Sequence, residues 1–281
     1  MRRLIAVGSV KGAPGVTTAA LALAAAWPEW ADEGVRPVVV EADVSGGDLT
    51  VRFGVPHTPG LLDVATSARK EQPGSLLAAT TELPFGVRAV ISPAGGRACT
   101  EAVRLVGESV QRVLLGDQGD RGTVVLDAGR VSEDAEGLLE AAEVVVLVAR
   151  GGADALAHAY AYLAEAGSRA ERYVLAVVGP CPYAAGEITA TLGISRVVFL
   201  PWDTKAADAL AGKARSVLRT SGWRALQLMT AAGDWARQLN GTGEVAAKGL
   251  SGALAGLGAV PAPGGHLRRG LAALATKESQ S

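Results

Sequence analysis

The stretch Leu4-Ile5-Ala6-Val7-Gly8-Ser9-Val10-Lys11-Gly12-Ala13-Pro14-Gly15-Val16-Thr17-Thr18 decides how this chain is read. It is an apolar run that ends at a bend rich in Gly and Pro, followed by an Ala/Leu-rich segment from Thr17 to Ala26. That pattern is a β-strand, a tight turn and a helix start. Such a junction converges main-chain N–H groups and the positive end of a helix dipole on one point, which suits an anion. A dinucleotide site needs G-x-G-x-x-G after the strand, and the glycines at 8, 12 and 15 lack that spacing. NAD binding is therefore disfavoured.

Working outward, short β-branched runs alternate with longer Ala/Leu-rich stretches, the rhythm of βα units in a parallel sheet. The expected strands are Leu4-Val10, Pro37-Glu41, Val87-Ile91, Thr123-Asp127, Glu143-Ala149, Tyr173-Val178 and Ser195-Leu200. Runs such as Val38-Val39-Val40 and Val144 to Val148 show no polar alternation, so both sheet faces should be covered by helices. The fold class is three-layer α/β with a mostly parallel sheet. Helices are expected over Thr17-Ala26, Thr100-Leu115, Glu133-Ala141, Ala153-Ala166, Ala184-Leu192 and Ala206-Lys213. A longer one is expected from Ser216 to Leu239, with Leu218, Leu226, Met229 and Trp235 near helical spacing. Residues 1-240 read as one domain, and 241-281, with repeated Gly and Ala plus Pro261 and Pro263, as a flexible tail.

Composition narrows the function classes. In 281 residues, 27 Lys+Arg face 28 Asp+Glu, so the net charge of −1 gives no whole-protein argument for nucleic acid. Cys99 and Cys181 sit in no CxxC or Cys/His cluster, which excludes a disulfide framework and a zinc site and makes a reducing cytoplasm the expectation. Met1-Arg2-Arg3 with the apolar run behind it imitates a secretory signal until Lys11, Gly12 and Pro14 interrupt it. Ala19-Trp27 and Val144-Ala149 are far too short to span a bilayer, so a peripheral membrane contact is the most that is expected.

At residues 11 to 17 the sequence resembles the MinD/ParA family of P-loop ATPases, and its CpaE/TadZ branch, whose deviant Walker A motif reads K-G-G-x-G-K-[ST]. Lys11, Gly12, Gly15 and Thr17 match; Ala13 replaces a glycine and Val16 replaces the ordinary P-loop lysine. The resemblance implies a backbone cradle for ATP or ADP from Gly12, Ala13, Gly15, Val16, Thr17 and Thr18. It also makes Lys11 the lysine that meets phosphate across a homodimer interface. Valine supplies no charge, and a charge-assisted hydrogen bond is worth roughly 1.5–3 kcal/mol, so binding should weaken about tenfold to a hundredfold. Hydrolysis is more exposed still, because a lost cation at the developing charge can cost on the order of 10³–10⁵ in rate.

Val40-Glu41-Ala42-Asp43 through Gly47-Asp48-Leu49 looks like the family's D-x-D switch I segment, with Glu41 at the first acid. Thr123-Val124-Val125-Leu126-Asp127-Ala128-Gly129 is similar to its Walker B and switch II. Acids at the carboxyl ends of parallel strands lie beside the ligand crevice. The resemblance assigns Thr17, Asp43 and Asp127 to Mg²⁺, and Lys11 and Asp43 to catalysis through phosphate and the attacking water. It further places the adenine ring near Pro201 and Asp203, although Gly179-Pro180 stands where relatives often carry a base-reading Asn. The expected role is a dimerising switch that positions or regulates a larger assembly through an unidentified protein partner. A scaffold of the same fold without turnover is the competing reading.

Between residues 205 and 240, Lys205, Lys213, Arg215, Arg219, Arg224 and Arg237 face Asp208 and Asp234. No aromatic interleaving accompanies them, so a solvated helix face is favoured over a DNA surface. His57, His158 and His266 are isolated from one another. Leu267, Leu271 and Leu274 could align on one helical face, but the apolar area is too small for a membrane anchor.

Overall fold

The computed structural model describes residues 1–13, 15–218 and 221–241. The expected tail from 242 onward, with its Leu267 to Leu274 segment, lies outside them.

The first strand, β1 (Arg3–Ser9), leads through the glycine bend into α1 (Val16–Ala25). Then follow β2 (Val38–Glu41), α2 (Leu49–Phe53), α3 (Leu61–Ala68), β3 (Thr81–Glu82), β4 (Arg88–Val90) and α4 (Arg97–Gly107). The second half runs β5 (Thr123–Arg130), α5 (Glu136–Ala141), β6 (Val144–Arg150), α6 (Ala153–Ala166), β7 (Tyr173–Val178), α7 (Ala185–Leu192) and β8 (Arg196–Leu200). It closes with α8 (Thr204–Leu210), α9 (Arg215–Leu218) and α10 (Gln227–Asn240).

The described strands form an eight-stranded sheet in the order β3-β4-β2-β5-β1-β6-β7-β8. It is parallel except where β3 runs antiparallel to β4 at the edge. Alternation along β1 sends Leu4 and Ala6 into a core shared with α3 to α7, while Ile5 and Val7 join a second core with α1, α8 and α10. The central strands are thus buried on both sides, as their unbroken apolar runs require. Because β1 lies between β5 and β6, the bend after it sits mid-sheet, flanked by the β2 and β5 ends on one side and the β6 and β7 ends on the other.

Two expected helices are interrupted. The segment 100–115 stops at Gly107, where α4 crosses α5 so closely that a Cβ on Gly137 would lie 2.9 Å from the Gly107 carbonyl oxygen; a separate wide turn then covers Gln111–Leu115. The segment 216–239 divides into α9, a 3₁₀ turn over Ser221–Ala225, and α10. Ser and Gly at 221 and 222 favour that break. The detour also buries Trp223 beside Phe85, which packs edge-on against Phe53 at 5.6 Å. Of the expected basic face, Arg219 lies outside the described residues, and the rest are divided among α8 (Lys205), α9 (Arg215), α10 (Arg237) and the turns between them (Lys213, Arg224). Lys213 pairs with Asp208 at 3.9 Å, and Arg237 pairs with Asp234.

Candidate functional site

The bend after β1 is open. Gly12 (φ +71°) and Gly15 (φ +107°) adopt left-handed backbone angles that disfavour side chains, and a Cβ built on either would meet nothing within 4 Å. Gly15 is the N-cap of α1 with no side-chain cap, so the first amides of that helix have no side-chain acceptor from the cap. One amide is committed: the Ala13 N–H donates to Ser9 Oγ at 2.9 Å. Val16 is 5% exposed and belongs to the core on the α1 side of the sheet, so its isopropyl group is buried.

Lys11 does not enter the bend. Its Nζ lies 3.0 Å from His158 Nε2 on α6, across the opposite face of the sheet crest.

The acids arrive from neighbouring strands. In register, Val7 of β1 pairs with Asp127 of β5, and Glu41 of β2 pairs with Asp127 on its other side. Asp127 is 1% exposed; its carboxylate accepts from the Gly129 amide at 3.2 Å and from the Thr17 hydroxyl. Burial pushes its pKa up to about 6, against the lowering effect of those two bonds, and the nearby Asp43 charge adds to the rise. The Asp43 carboxylate crowds Gly129 so closely that a Cβ there has no room, and Gly129 has φ +56°. Asp43 also accepts from the Ser45 amide at 2.8 Å, which holds the loop after β2 in place. Asp127 thus stands beside both Thr17 and Asp43, and Gly129 is a packing requirement that the sequence signalled only as the glycine after the acid.

Glu41 has a different place. It is 1% exposed, and its carboxylate accepts from the amides of Asp48 (2.6 Å), Leu49 (3.0 Å) and Ser92 (3.0 Å). Those bonds fasten the start of α2 and the end of β4 to β2. Burial nevertheless raises its pKa to about 7. Occupied this way, Glu41 braces the loop that carries Asp43.

At the far end of the crest, Asp203 is also occupied. Its Oδ1 accepts from Ala206 at 3.0 Å and its Oδ2 from Leu228 at 3.2 Å, capping α8 and α10 together. Pro201 is half-buried beside it, and Trp202 stands 53% exposed with the Arg150 guanidinium 4.8 Å from its ring centroid. Thr18 lies half-buried in the first turn of α1.

The chain matches no protein-family model and no curated protein sequence. Solved structures do match. The septum site-determining protein MinD from Pyrococcus horikoshii, complexed with Mg-ADP, superposes with a TM-score of 0.65 at 17% identity over 86% of this chain and 98% of its own. The ParA family ATPase of Chlorobium tepidum gives 0.63 at 18% identity, over 85% of this chain and 99% of its own. The fold is that of the MinD/ParA ATPases. MinD from the Aquifex aeolicus MinC:MinD complex gives 0.64 at 15% identity, covering 86% of this chain and 97% of that one. The MinD/ParA fold accounts for the topological position of the bend, between the β5 acid and β6. At these identities it carries the architecture and not the residue roles.

The fit of a Mg²⁺-nucleotide rests on the donors themselves. Among the described residues no three His, Cys, Asp or Glu side chains form a metal cluster. A cation here would therefore need nucleotide oxygens and water beside Thr17, Asp43 and Asp127, and a hard divalent ion that keeps several waters suits such a sparse oxygen set. Among the described residues no helix is long and apolar enough to cross a membrane.

Proposed function

We propose that this chain binds ATP and ADP with Mg²⁺ at the bend and acts as a dimerising switch for a larger assembly, with weak or absent hydrolysis. The observation that carries the reading is the open bend of Gly12 and Gly15 with Thr17, Asp43 and Asp127 gathered beside it. In this reading the amides of Gly12, Gly15, Val16, Thr17 and Thr18 hold phosphate oxygens, and Ala13 contributes shape only, since its amide serves Ser9. Thr17 and Asp127 orient the metal shell, and Asp43 sits where it can take up a proton from water. Bound Mg²⁺ would supply the charge neutralisation that the loop lacks. The weak turnover follows from Val16, which offers no cation to the developing phosphate charge.

A second reading is favoured by the same residue. Val16 is packed into the core, so the loop is stabilised without a ligand, as suits a scaffold of this fold that needs no nucleotide. The DNA-surface reading draws no support from the divided cations of α8 to α10.

Titration of the full chain with labelled ATP and ADP, with and without Mg²⁺, beside sedimentation, separates these readings. Mg²⁺-dependent binding with ATP-driven dimerisation and little phosphate release is the expected result. No binding at millimolar nucleotide would leave the scaffold alone.

A further inference from the structure

A cavity of about 330 Å³ opens between α5 and α6 and shares no residue with the nucleotide site. Its walls carry Glu133, Glu136, Glu140 and Glu165 against Arg169 and Arg172. Both arginines are already engaged. Arg169 pairs with Glu140 at 3.1 Å, and Arg172 donates to the carbonyl oxygens of Glu140 and Ala142 at 2.7 and 3.0 Å. Among the described residues Glu133, Glu136 and Glu165 have no ion-pair partner. The cavity therefore keeps a negative charge that a basic side chain would neutralise.

Two polar atoms on its wall residues narrow the ligand class. Ser132 Oγ and Arg172 Nε are buried and have no hydrogen-bond partner among the described residues. A buried donor without an acceptor is costly, and Arg172 Nε can only donate, so it calls for an oxygen that a metal ion or a simple amine does not bring. Cation and carbonyl oxygen together are what a basic stretch of peptide offers. Tyr162, edge-on to Tyr173 with ring centroids 5.9 Å apart, adds an aromatic wall on which a guanidinium can stack.

The described chain ends close to this cavity. Arg3 donates to Asn240 Oδ1 at 2.9 Å and pairs with Glu143 at 3.0 Å, so the end of α10 is tied to the residue next to Ala142, whose carbonyl Arg172 holds. Beyond Gly241 the sequence carries Lys248, Arg268, Arg269 and Lys277 against Glu244 and Glu278, a surplus of positive charge. Arg268 lies 27 residues on from Gly241. Even at the short rise of a helix that length covers about 40 Å, enough to reach the cavity.

We propose that the cavity between α5 and α6 is the docking site of the chain's own Arg268-Arg269 segment. The guanidinium groups pair with Glu136 on α5 and Glu165 on α6, one of them stacked on Tyr162, and a main-chain carbonyl of the segment accepts from Arg172 Nε. Tethering holds the segment at a local concentration on the order of millimolar, so a modest site is filled without further contacts. The inference goes beyond nucleotide binding and is independent of it.

The test compares two full-length chains, the wild type and Arg268→Gln/Arg269→Gln, titrated against a fluorescent peptide of residues 264–271 and followed by anisotropy. The double variant should bind the peptide saturably, and the wild type at least tenfold more weakly, because its own segment competes. Adding Glu136→Gln and Glu165→Gln to the double variant should cost tenfold or more in peptide affinity at an unchanged melting temperature. A peptide with Gln in place of both arginines should not bind the double variant, which tests the same pairing with no change to the cavity. No binding to the double variant overturns the site, as does binding indifferent to the two glutamates or to the peptide's arginines. Equal binding to both chains overturns the segment as occupant and leaves the cavity to a basic peptide of another protein. Mg²⁺-dependent ATP affinity should be the same in all the chains, so the docking site and the proposed function fail separately.

Discussion

The hydroxyl of Thr17, one residue into α1, donates to the carboxylate of Asp127 within the neighbouring strand β5. The contact ties the helix that starts at the bend to the strand that delivers the buried acid. Removing the hydroxyl while keeping its shape tests this link. In Thr17→Val the Asp127 carboxyl loses one of the two bonds that hold its pKa down, so it should titrate above about 6. The Mg²⁺-dependent part of nucleotide affinity should fall about tenfold, as expected for one lost bond to a charged group. Titration with ADP in Mg²⁺ and in EDTA reads this directly; an equal loss in both conditions would place Thr17 outside the metal shell.

Val16→Lys should tighten ATP binding by about tenfold to a hundredfold. A lysine stem can run along the apolar core that Val16 occupies while its ammonium reaches the open bend. Because Val16 is buried, melting must be followed alongside affinity. A folded variant with unchanged affinity would mean that phosphate does not lie within reach of position 16.

Much of the frame was legible because buried parallel strands are continuous apolar runs. The seven expected strands all form, with ends displaced by no more than three residues, the largest shift being β5, which runs on from Asp127 to Arg130. The missed strand β3 has two residues, Thr81 and Glu82, too few to show a period. The short helices α2 and α3 are missed for a similar reason: α2 owes its start to Glu41, a side chain several residues upstream, and α3 to the bond between the Gly60 amide and Asp63. Thr17, Asp43 and Asp127 stand out in the sequence because each closely follows, or closes, an apolar run or a glycine bend. The roles of Glu41 and Asp203 do not stand out. Both are acids at strand ends, and nothing local distinguishes a carboxylate facing a crevice from one consumed by amides distant in sequence.

Asp203→Ala removes acceptors from the first turns of α8 and α10 at once. Losing one N-cap costs about 1 kcal/mol, so destabilisation of roughly 2 kcal/mol is expected. Asp203→Asn keeps one acceptor oxygen and sets its NH₂ group against the other N–H donor, so it should fall between wild type and Ala. Denaturant unfolding decides the matter: a loss below about 0.5 kcal/mol in Asp203→Ala would show that the two caps do not act together.

The pH dependence of stability should run against the usual direction for carboxylates. Glu41 and Asp127 are both protonated more readily in the folded chain than in the unfolded one, their pKa values rising from 4.5 to about 7 and from 3.8 to about 6, chiefly through burial. Between those limits the folded state binds more protons, so stability is present in full below pH 4 and is lost as pH climbs through about 6 and then about 7. For Glu41 alone the change from pH 5.5 to 8 amounts to about 2 kcal/mol. The nucleotide-free chain should therefore resist urea better at pH 5.5 than at pH 8. Glu41→Gln should flatten most of that slope, and should lower stability at pH 5.5, since its NH₂ group faces an amide N–H that the carboxylate oxygen accepted. A divalent cation at Asp127 would favour the ionised carboxylate and shrink the remaining slope, so repeating the series in Mg²⁺ separates the two acids. Rising stability from pH 5.5 to 8 in the wild-type chain would mean that the amides around Glu41 outweigh its burial.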